Sequence, residues 1–491
     1  MEPKNLLFII SDQHNRDLLG CYGHAQVQTP HLDSLAGQGV RFDAAYTNCP
    51  ICVPARASLA TGQYVHRIGY WDNAFPYEGR VRGWGQRLIE AGHEVDSIGK
   101  LHYRSADDAD GFGNHVIPLN VVDGVGDVMG SIRDVAPVRH GAREGVINAG
   151  FGNSTYLDYD RRVAEHARQW LRKRADRRST SEAQKPWMLF VSFVCPHPPY
   201  IAPEDYADLY PLDQISLPVQ STVDQRPTHP ALETFRRVMG WEQPFSELEM
   251  RRMIAAYMGC CTHLDQQVGH VLDTLDQLGL RDETRIVYTS DHGESLGRHG
   301  LWGKFTMFED SAAVPLILAG PDVPRGQVSD DPVSLVDCYQ TIRDCVGLAA
   351  NASESELPGR SLWRIAQGQK LGRSVLSEYH AVGSETAAFM LRRDDWKYVH
   401  YVGLPPQLFH LSSDPDEMCD LSQQPECQHR LQDLERELRG LLDPEDVDRR
   451  AKLDQRALVE SHGGPAAVLG RGTFTNSPVP GETPQFHAPD S

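Results

Sequence analysis

The stretch Leu6-Leu7-Phe8-Ile9-Ile10-Ser11-Asp12-Gln13-His14 decides how the rest of the chain is read. Its first five residues are apolar throughout. A strand with no polar face is buried on both sides, as in a parallel sheet covered by helices. Its last four residues are polar and follow the strand at once. The same order recurs along the chain. A predicted strand at 94–98 leads into Gly99-Lys100-Leu101-His102, one at 187–194 is soon followed by Pro196-His197-Pro198, and one at 285–289 runs into Ser290-Asp291-His292-Gly293. In open α/β sheets, ligands sit beyond the carboxyl ends of the strands. The four polar clusters are therefore expected to converge on one site.

Helical patterns separate these strands. Thr29-Pro30-His31-Leu32-Asp33-Ser34-Leu35 has the look of a helix start with proline in its first turn. Residues 84–91 form a helix that stops at Gly92, residues 160–174 an amphipathic basic surface helix, and residues 247–278 a long one, with a further strand at 314–318. The alternation predicts an α/β sandwich with a large, mostly parallel central sheet. The Gly-rich, weakly periodic stretch 106–134 reads as an excursion over the site, and 179–185 as a polar surface loop. Segments 349–358 and 367–371 mark a boundary. Strands at 374–378, 388–392 and 396–401 and a helix at 426–441 then predict a small C-terminal α+β subdomain. Residues 446–491, rich in Gly, Pro and polar side chains, read as an extended tail, either disordered or an arm on a neighbouring subunit. The expected units are 1–365, 366–445 and 446–491, in a homo-oligomer, dimer or tetramer.

Composition narrows the classes. The 491 residues include 67 acids against 48 bases, a net charge of -19, which argues against a nucleic-acid partner because phosphate binding needs a clustered positive face. No stretch approaches a membrane span. The opening apolar run is too short for a signal-peptide core, so the chain as given reads as cytoplasmic. Ten cysteines in a chain of this length make no disulfide framework, and their spacings make no zinc site.

Chemistry resides in the polar clusters. Asp12, Gln13, Asp291 and His292 supply oxygen ligands and one imidazole, a set that suits calcium, magnesium or manganese better than zinc. Either aspartate alone is as well explained as a helix cap. Lys100, His102, His197 and Lys304 are groups that hold a tetrahedral oxyanion and move protons. Each alone is equally an ordinary surface lysine or structural histidine.

The segment Cys49-Pro50-Ile51-Cys52-Val53-Pro54-Ala55-Arg56-Ala57-Ser58-Leu59-Ala60-Thr61-Gly62 separates these readings. Its outer cysteines have the Cys-x-x-Cys spacing of a redox pair. Cys52-Val53-Pro54-Ala55-Arg56, however, resembles the Cys-x-Pro-x-Arg signature of the formylglycine-dependent type I sulfatases of the alkaline phosphatase superfamily. Leu59-Ala60-Thr61-Gly62-Gln63-Tyr64 resembles the second half of that signature. Lys100-Leu101-His102, His197, Asp291-His292-Gly293 and Lys304 follow in the family's order. Trp396-Lys397-Tyr398 and the stretch from Leu408-Phe409 to Asp414-Pro415-Asp416-Glu417 are similar to its closing subdomain, so the resemblance spans roughly residues 5–445.

The resemblance implies an alkaline phosphatase-like fold that hydrolyses sulfate monoesters, aryl or small alkyl, to an alcohol and inorganic sulfate. A maturation enzyme would oxidise Cys52 to formylglycine. One hydroxyl of the hydrated aldehyde would attack sulfur, and the other would expel sulfate by C–O cleavage. Asp12, Gln13, Asp291 and His292 would bind one divalent metal, with the residue at position 52 completing the shell. Arg56 would orient position 52. His102, beside Lys100, would start the release step. His197 and Lys304 would hold the sulfate, one of them protonating the leaving oxygen, and Asn73 would touch the substrate.

Three departures bear on this. Ala55 replaces the commoner serine while Cys, Pro and Arg remain. Gln13 stands where many members have a second aspartate, and His292 where many have an amide. Calcium is the first expectation for the metal, and the last two changes favour manganese or magnesium as alternatives. A Gln and His pair of this kind resembles the choline sulfatase and phosphonate monoester hydrolase branches. The competing activity is thus a phosphonate monoester or phosphodiester hydrolase. The presence of both Lys100 and His102 favours sulfate. Recognition groups are expected in 106–134 and 211–244, with Trp71, Tyr103, Tyr200 and Trp302 as candidate pocket aromatics.

Overall fold

The computed structural model describes residues 2–177, 185–474 and 476–487. Its main sheet contains, in chain order, β1 (Asn5–Asp12), β2 (Gly39–Phe42), β3 (Val95–Lys100), β4 (Asn114–Leu119), β5 (Met188–Pro196), β6 (Thr284–Ser290), β7 (Leu316–Ala319) and β8 (Gln327–Ser329). Across the sheet the order is β8-β2-β7-β6-β1-β5-β3-β4. From β6 to β4 every neighbouring pair is parallel, and β7 runs antiparallel to both its neighbours.

β1 is central because it has no polar face to give to water. Leu6, Phe8 and Ile10 join one buried cluster, while Leu7 and Ile9 join another on the opposite side. This is the period of two along a strand. The first cluster is completed by α2 (Cys52–Thr61) and α3 (Trp84–Glu90), through Ala57, Leu59, Trp84 and Leu88. The second is completed by α1 (Pro30–Gly37), α4 (Thr155–Asp176) and α5 (Glu247–Gln277), through Leu32, Val163, Leu264 and Val268. Two carboxylates tie helices to chain ends. Asp265 of α5 accepts from the backbone N–H groups of His31 and Leu32 at 3.1 and 2.8 Å, satisfying donors at the start of α1. Asp160 of α4 accepts from Val194 and Cys195 N–H at 2.8 and 2.9 Å, fixing the end of β5 just before His197.

The smaller sheet is antiparallel: β9 (Val375–Tyr379), β10 (Ala388–Arg393), β11 (Trp396–Tyr401) and β12 (Gln407–His410), in that order. Helix α6 (Gln428–Leu441) packs Leu431, Leu434 and Leu438 into the cluster that holds Met390 and Tyr398. Lys397 of β11 is fully buried, with Nζ 3.0 Å from Glu309 Oε1 and 2.8 Å from Glu417 Oε1. Arg16, beyond the end of β1, reaches Glu309 Oε2 at 3.1 Å.

Three segments differ from the sequence expectation. The stretch 106–134 is not only an excursion, because it contributes the edge strand β4. β12 lacks any apolar alternation long enough to announce it. The region from 446 on, expected to be an extended tail, begins among the described residues with two helices, α7 (Pro444–Ser461) and α8 (Gly464–Arg471). Asp443 caps α7 by accepting from Asp446 N–H at 3.1 Å, and Val447 and Ala451, four apart, are buried. The Gly and Pro content of the last residues masked that periodicity. The expected loop 179–185 lies, except for Lys185, outside the described residues.

Lys397→Met leaves Glu417 buried without its cation and Glu309 with Arg16 alone. Chemical denaturation is expected to show a loss of about 3–5 kcal/mol in unfolding free energy. An unchanged midpoint would contradict this role for the ion triad.

Candidate active site

The four polar clusters meet where β1, β3, β5 and β6 end. Asp12, Cys52, Asp291 and His292 are buried, and each offers a ligand atom within 4.8 Å of the others. The backbone is bent to bring them together. Gln13 and His102 occupy the left-handed region at φ 66 and 58. This is uncommon outside glycine and is characteristic of functional turns. At Gly99, φ is 100 and an added Cβ would lie 2.1 Å from the Ser192 carbonyl oxygen, so glycine is required there for β3 to deliver Lys100 beside β5.

Cys52 is the first residue of α2, entered from an extended Ile51. Its Sγ lies 3.2 Å from His292 Nε2, 3.0 Å from Lys304 Nζ and 3.7 Å from Asp12 Oδ1. Burial, and then the Asp12 carboxylate, push the thiol up to about 11 although Lys304 and Lys100 oppose them. An unmodified Cys52 is therefore protonated at neutral pH. One turn on, Arg56 donates from Nε to Asp291 Oδ2 at 2.8 Å, and from Nη1 to the Lys100 carbonyl at 2.7 Å and Ser192 Oγ at 3.0 Å. Lys100 Nζ sits 2.5 Å from Asp12 Oδ2. Burial works against a charged Asp12, but Lys100, Lys304 and Arg56 together hold its carboxyl well below the usual carboxylate range.

Gln13 is fixed from both ends. Its Oε1 accepts from Lys304 Nζ at 2.8 Å, and its Nε2 donates to Glu294, which also accepts from the Tyr200 hydroxyl at 2.6 Å. His292 Nδ1 lies 3.1 Å from the Gly293 carbonyl, which assigns the proton to Nδ1 and the lone pair to Nε2. Burial lowers this imidazole to about 4, so it is neutral. Two carboxylates, a neutral imidazole with its lone pair turned inward and a nearby amide oxygen form a donor set that fits one divalent cation. His102 is kept neutral by burial and then by Lys100, and His197 by burial and then by Lys304.

Gln13, Cys52, Asn73, His102, His197 and Lys304 face one cavity. Asn73 Oδ1 also accepts from Val53 N–H at 3.2 Å, so it braces the start of α2. Arg56 and Lys100 do not line the cavity; they hold Asp12 and Asp291 in place. All the residues anticipated from the sequence are thus brought together. The anticipated aromatics do not line the cavity: Trp71, Tyr103, Tyr200 and Trp302 are buried behind or away from it, and Trp241, Phe305 and Phe474 form the aromatic wall. Ser192, Glu294 and Ser477 were not anticipated from the sequence; Tyr200 was anticipated as a pocket aromatic and instead acts through its hydroxyl on Glu294. Glu294, two residues after His292, had a signal in its position. Ser477 had none, because only the fold brings it near.

A family profile described as Sulfatase matches residues 4–348, well over half of the chain. The chain belongs to the sulfatase family. A second profile, N-sulphoglucosamine sulphohydrolase, C-terminal, matches residues 297–443. Among curated relatives, a choline-sulfatase of Rhizobium meliloti is 32% identical over 439 residues, covering 86% of this sulfatase and 83% of the relative. Arylsulfatase K of Bos taurus is 30% identical over 451 residues, covering 86% and 78%. In fold, the sulfatase is similar to the phosphonate monoester hydrolase of Agrobacterium radiobacter, with TM-score 0.70 and 23% identity over 89% of this chain and 95% of that one. The protein is a sulfuric ester hydrolase with an alkaline phosphatase-like fold, and its family in general uses a metal ion and formylglycine. Among the described residues, no helix is long and apolar enough to cross a membrane.

The raised thiol gives a direct check on unmodified, metal-free protein. Alkylation of Cys52 is expected to accelerate only toward a pH of about 11, because burial and Asp12 disfavour the thiolate. Asp12→Asn removes the larger charge contribution and is expected to shift that profile to lower pH. A wild-type profile centred near an ordinary thiol, about 8.5, would contradict the electrostatics.

Proposed function

We propose that this sulfatase hydrolyses monoesters of sulfate with aryl or small alkyl alcohols, using formylglycine at position 52 and one divalent cation. The observation that carries the proposal is the position of Cys52 at the head of α2, within reach of Asp12, His292 and Lys304 and facing the cavity. Asp12, Gln13, Asp291 and His292 would hold the cation, with position 52 beside them. Calcium is the first candidate from the oxygen-rich set, and an imidazole in place of an amide favours manganese or magnesium as alternatives. When bound, the cation lowers the pKa of an attacking hydroxyl and offsets charge on sulfate oxygens. Formylglycine, as its hydrate, offers one hydroxyl to accept the sulfuryl group and a second that permits release by C–O cleavage.

The chain's own residues do the rest. Arg56 locks Asp291 and steadies the first turn of α2. Lys100 keeps Asp12 ionised. His197 and Lys304 hold the sulfuryl oxygens, and the proton for the leaving oxygen comes from this pair. His102 takes the proton released when sulfate departs. Cys52 is only 1% exposed, so a maturation enzyme would have to act before the chain has folded around it.

The cavity supports an aryl or small alkyl alcohol. Val121, Val146, Met239, Trp241, Phe305 and Phe474 supply apolar wall. Arg139, also in the wall, pairs with Asp127 at 2.9 Å. The names of the relatives, choline-sulfatase and arylsulfatase K, support small alkyl and aryl sulfates as the class to test.

Kinetics on an aryl sulfate and on a phenyl phosphonate should give the higher kcat/KM with the sulfate. A clear preference for the phosphonate would overturn the proposal. Asp291→Ala is expected to weaken binding of a divalent cation, read by metal content after dialysis, by at least about tenfold. Retention of wild-type metal content would remove Asp291 from the proposed ligand set.

A further inference from the structure

One contact to the reacting groups comes from far along the chain. Ser477 places its Oγ 2.9 Å from His102 Nε2, across 375 residues of sequence. It is 6% exposed. The strap that carries it is anchored at several points. The Tyr156 hydroxyl donates to the Ser477 carbonyl at 2.6 Å. The Arg139 guanidinium donates to the Thr473 hydroxyl. Thr473 and His487 pair through their backbones, and Val479 is buried in the cluster that holds Leu7 and Ile9. Thr473, Phe474, Asn476 and Ser477 line the same cavity as Cys52.

His102 depends on this contact. Its ring is buried, and among the described residues no atom partners Nδ1. An unpartnered buried acceptor is less rare than an unpartnered buried N–H. The proton therefore belongs on Nε2, donated to Ser477 Oγ, and Nδ1 keeps the lone pair. Without that hydroxyl the ring is free to turn about Cα–Cβ and Cβ–Cγ and to exchange tautomers.

We propose that Ser477, held by the C-terminal strap, is a positioning residue for His102, fixing the rotation and the tautomer with which this base meets the group at position 52. The proposal rests on the sulfatase reading, in which His102 moves a proton during turnover. A misplacement of about 1 Å at a catalytic group is enough to cost turnover without costing binding.

Two variants of matched size test it. Ser477→Thr keeps the hydroxyl and Ser477→Val removes it. With an aryl sulfate, Ser477→Val should lower kcat about tenfold while KM stays within about twofold, the loss expected for one buried hydrogen bond that orients a catalytic group. Ser477→Thr should restore most of kcat. Both should melt close to the wild type, because the strap is anchored through backbone and neighbouring residues. If Ser477→Val does not fold, Tyr156→Phe decides, since it loosens the strap without touching His102 and should lower kcat in the same way. Wild-type kcat in Ser477→Val, or a rise in KM alone, would overturn the proposal and leave Ser477 as pocket wall. A wild-type enzyme inactive on every sulfate ester would instead overturn the sulfatase reading on which this rests.

Discussion

Asp12 is a carboxylate with no access to solvent, and the site is organised around keeping it ionised. Burial alone would protonate it. Lys100 touches it at 2.5 Å, Arg56 stands 3.6 Å away, and Lys304 lies across Cys52. Each of those cations is itself buried and would be costly without Asp12 and Asp291. The strand ends, the left-handed turns at Gln13 and His102, and the glycine before Lys100 serve this mutual neutralisation. They bring charges together that no single element could carry. The same cluster makes an unmodified thiol at position 52 a poor nucleophile, because the carboxylate that suits a cation opposes a thiolate.

The parts of the fold with a short physical period were legible. β1 and β5 are largely apolar runs whose burial on both faces follows from composition, and α5 follows from the helical spacing of its apolar residues. The site residues were legible because they sit next to those strands and because Cys52-Val53-Pro54-Ala55-Arg56 is specific. What could not be read depends on distance along the chain. β4 is a short edge strand inside a Gly-rich stretch. α7 lies in a segment whose Gly and Pro content hides Val447 and Ala451. The hydrogen bonds from Ser192 to Arg56, from Glu294 to Gln13 and from Ser477 to His102 join positions that no local pattern relates.

The C-terminal region has more to do with the centre than its sequence suggests. Gln455 of α7 donates to Asp72 Oδ2 at 2.8 Å and to the His380 carbonyl at 2.6 Å, and Trp71 donates to Asp454 at 2.8 Å. These contacts brace the segment that carries Asn73, which in turn braces the start of α2. Lys397 does similar work through Glu309 and Arg16, just beyond β1. The geometry of the candidate site therefore draws on side chains from both ends of the chain.

On the proposed function, Cys52 is the precursor of the nucleophile and the surrounding charges fit its modified form. Mass spectrometry of the peptide containing Cys52, taken from protein shown to turn over a sulfate ester, tests this most directly. Active protein should show loss of sulfur and gain of an aldehyde at that residue, in proportion to activity. Fully active protein with an intact cysteine at position 52 would contradict it.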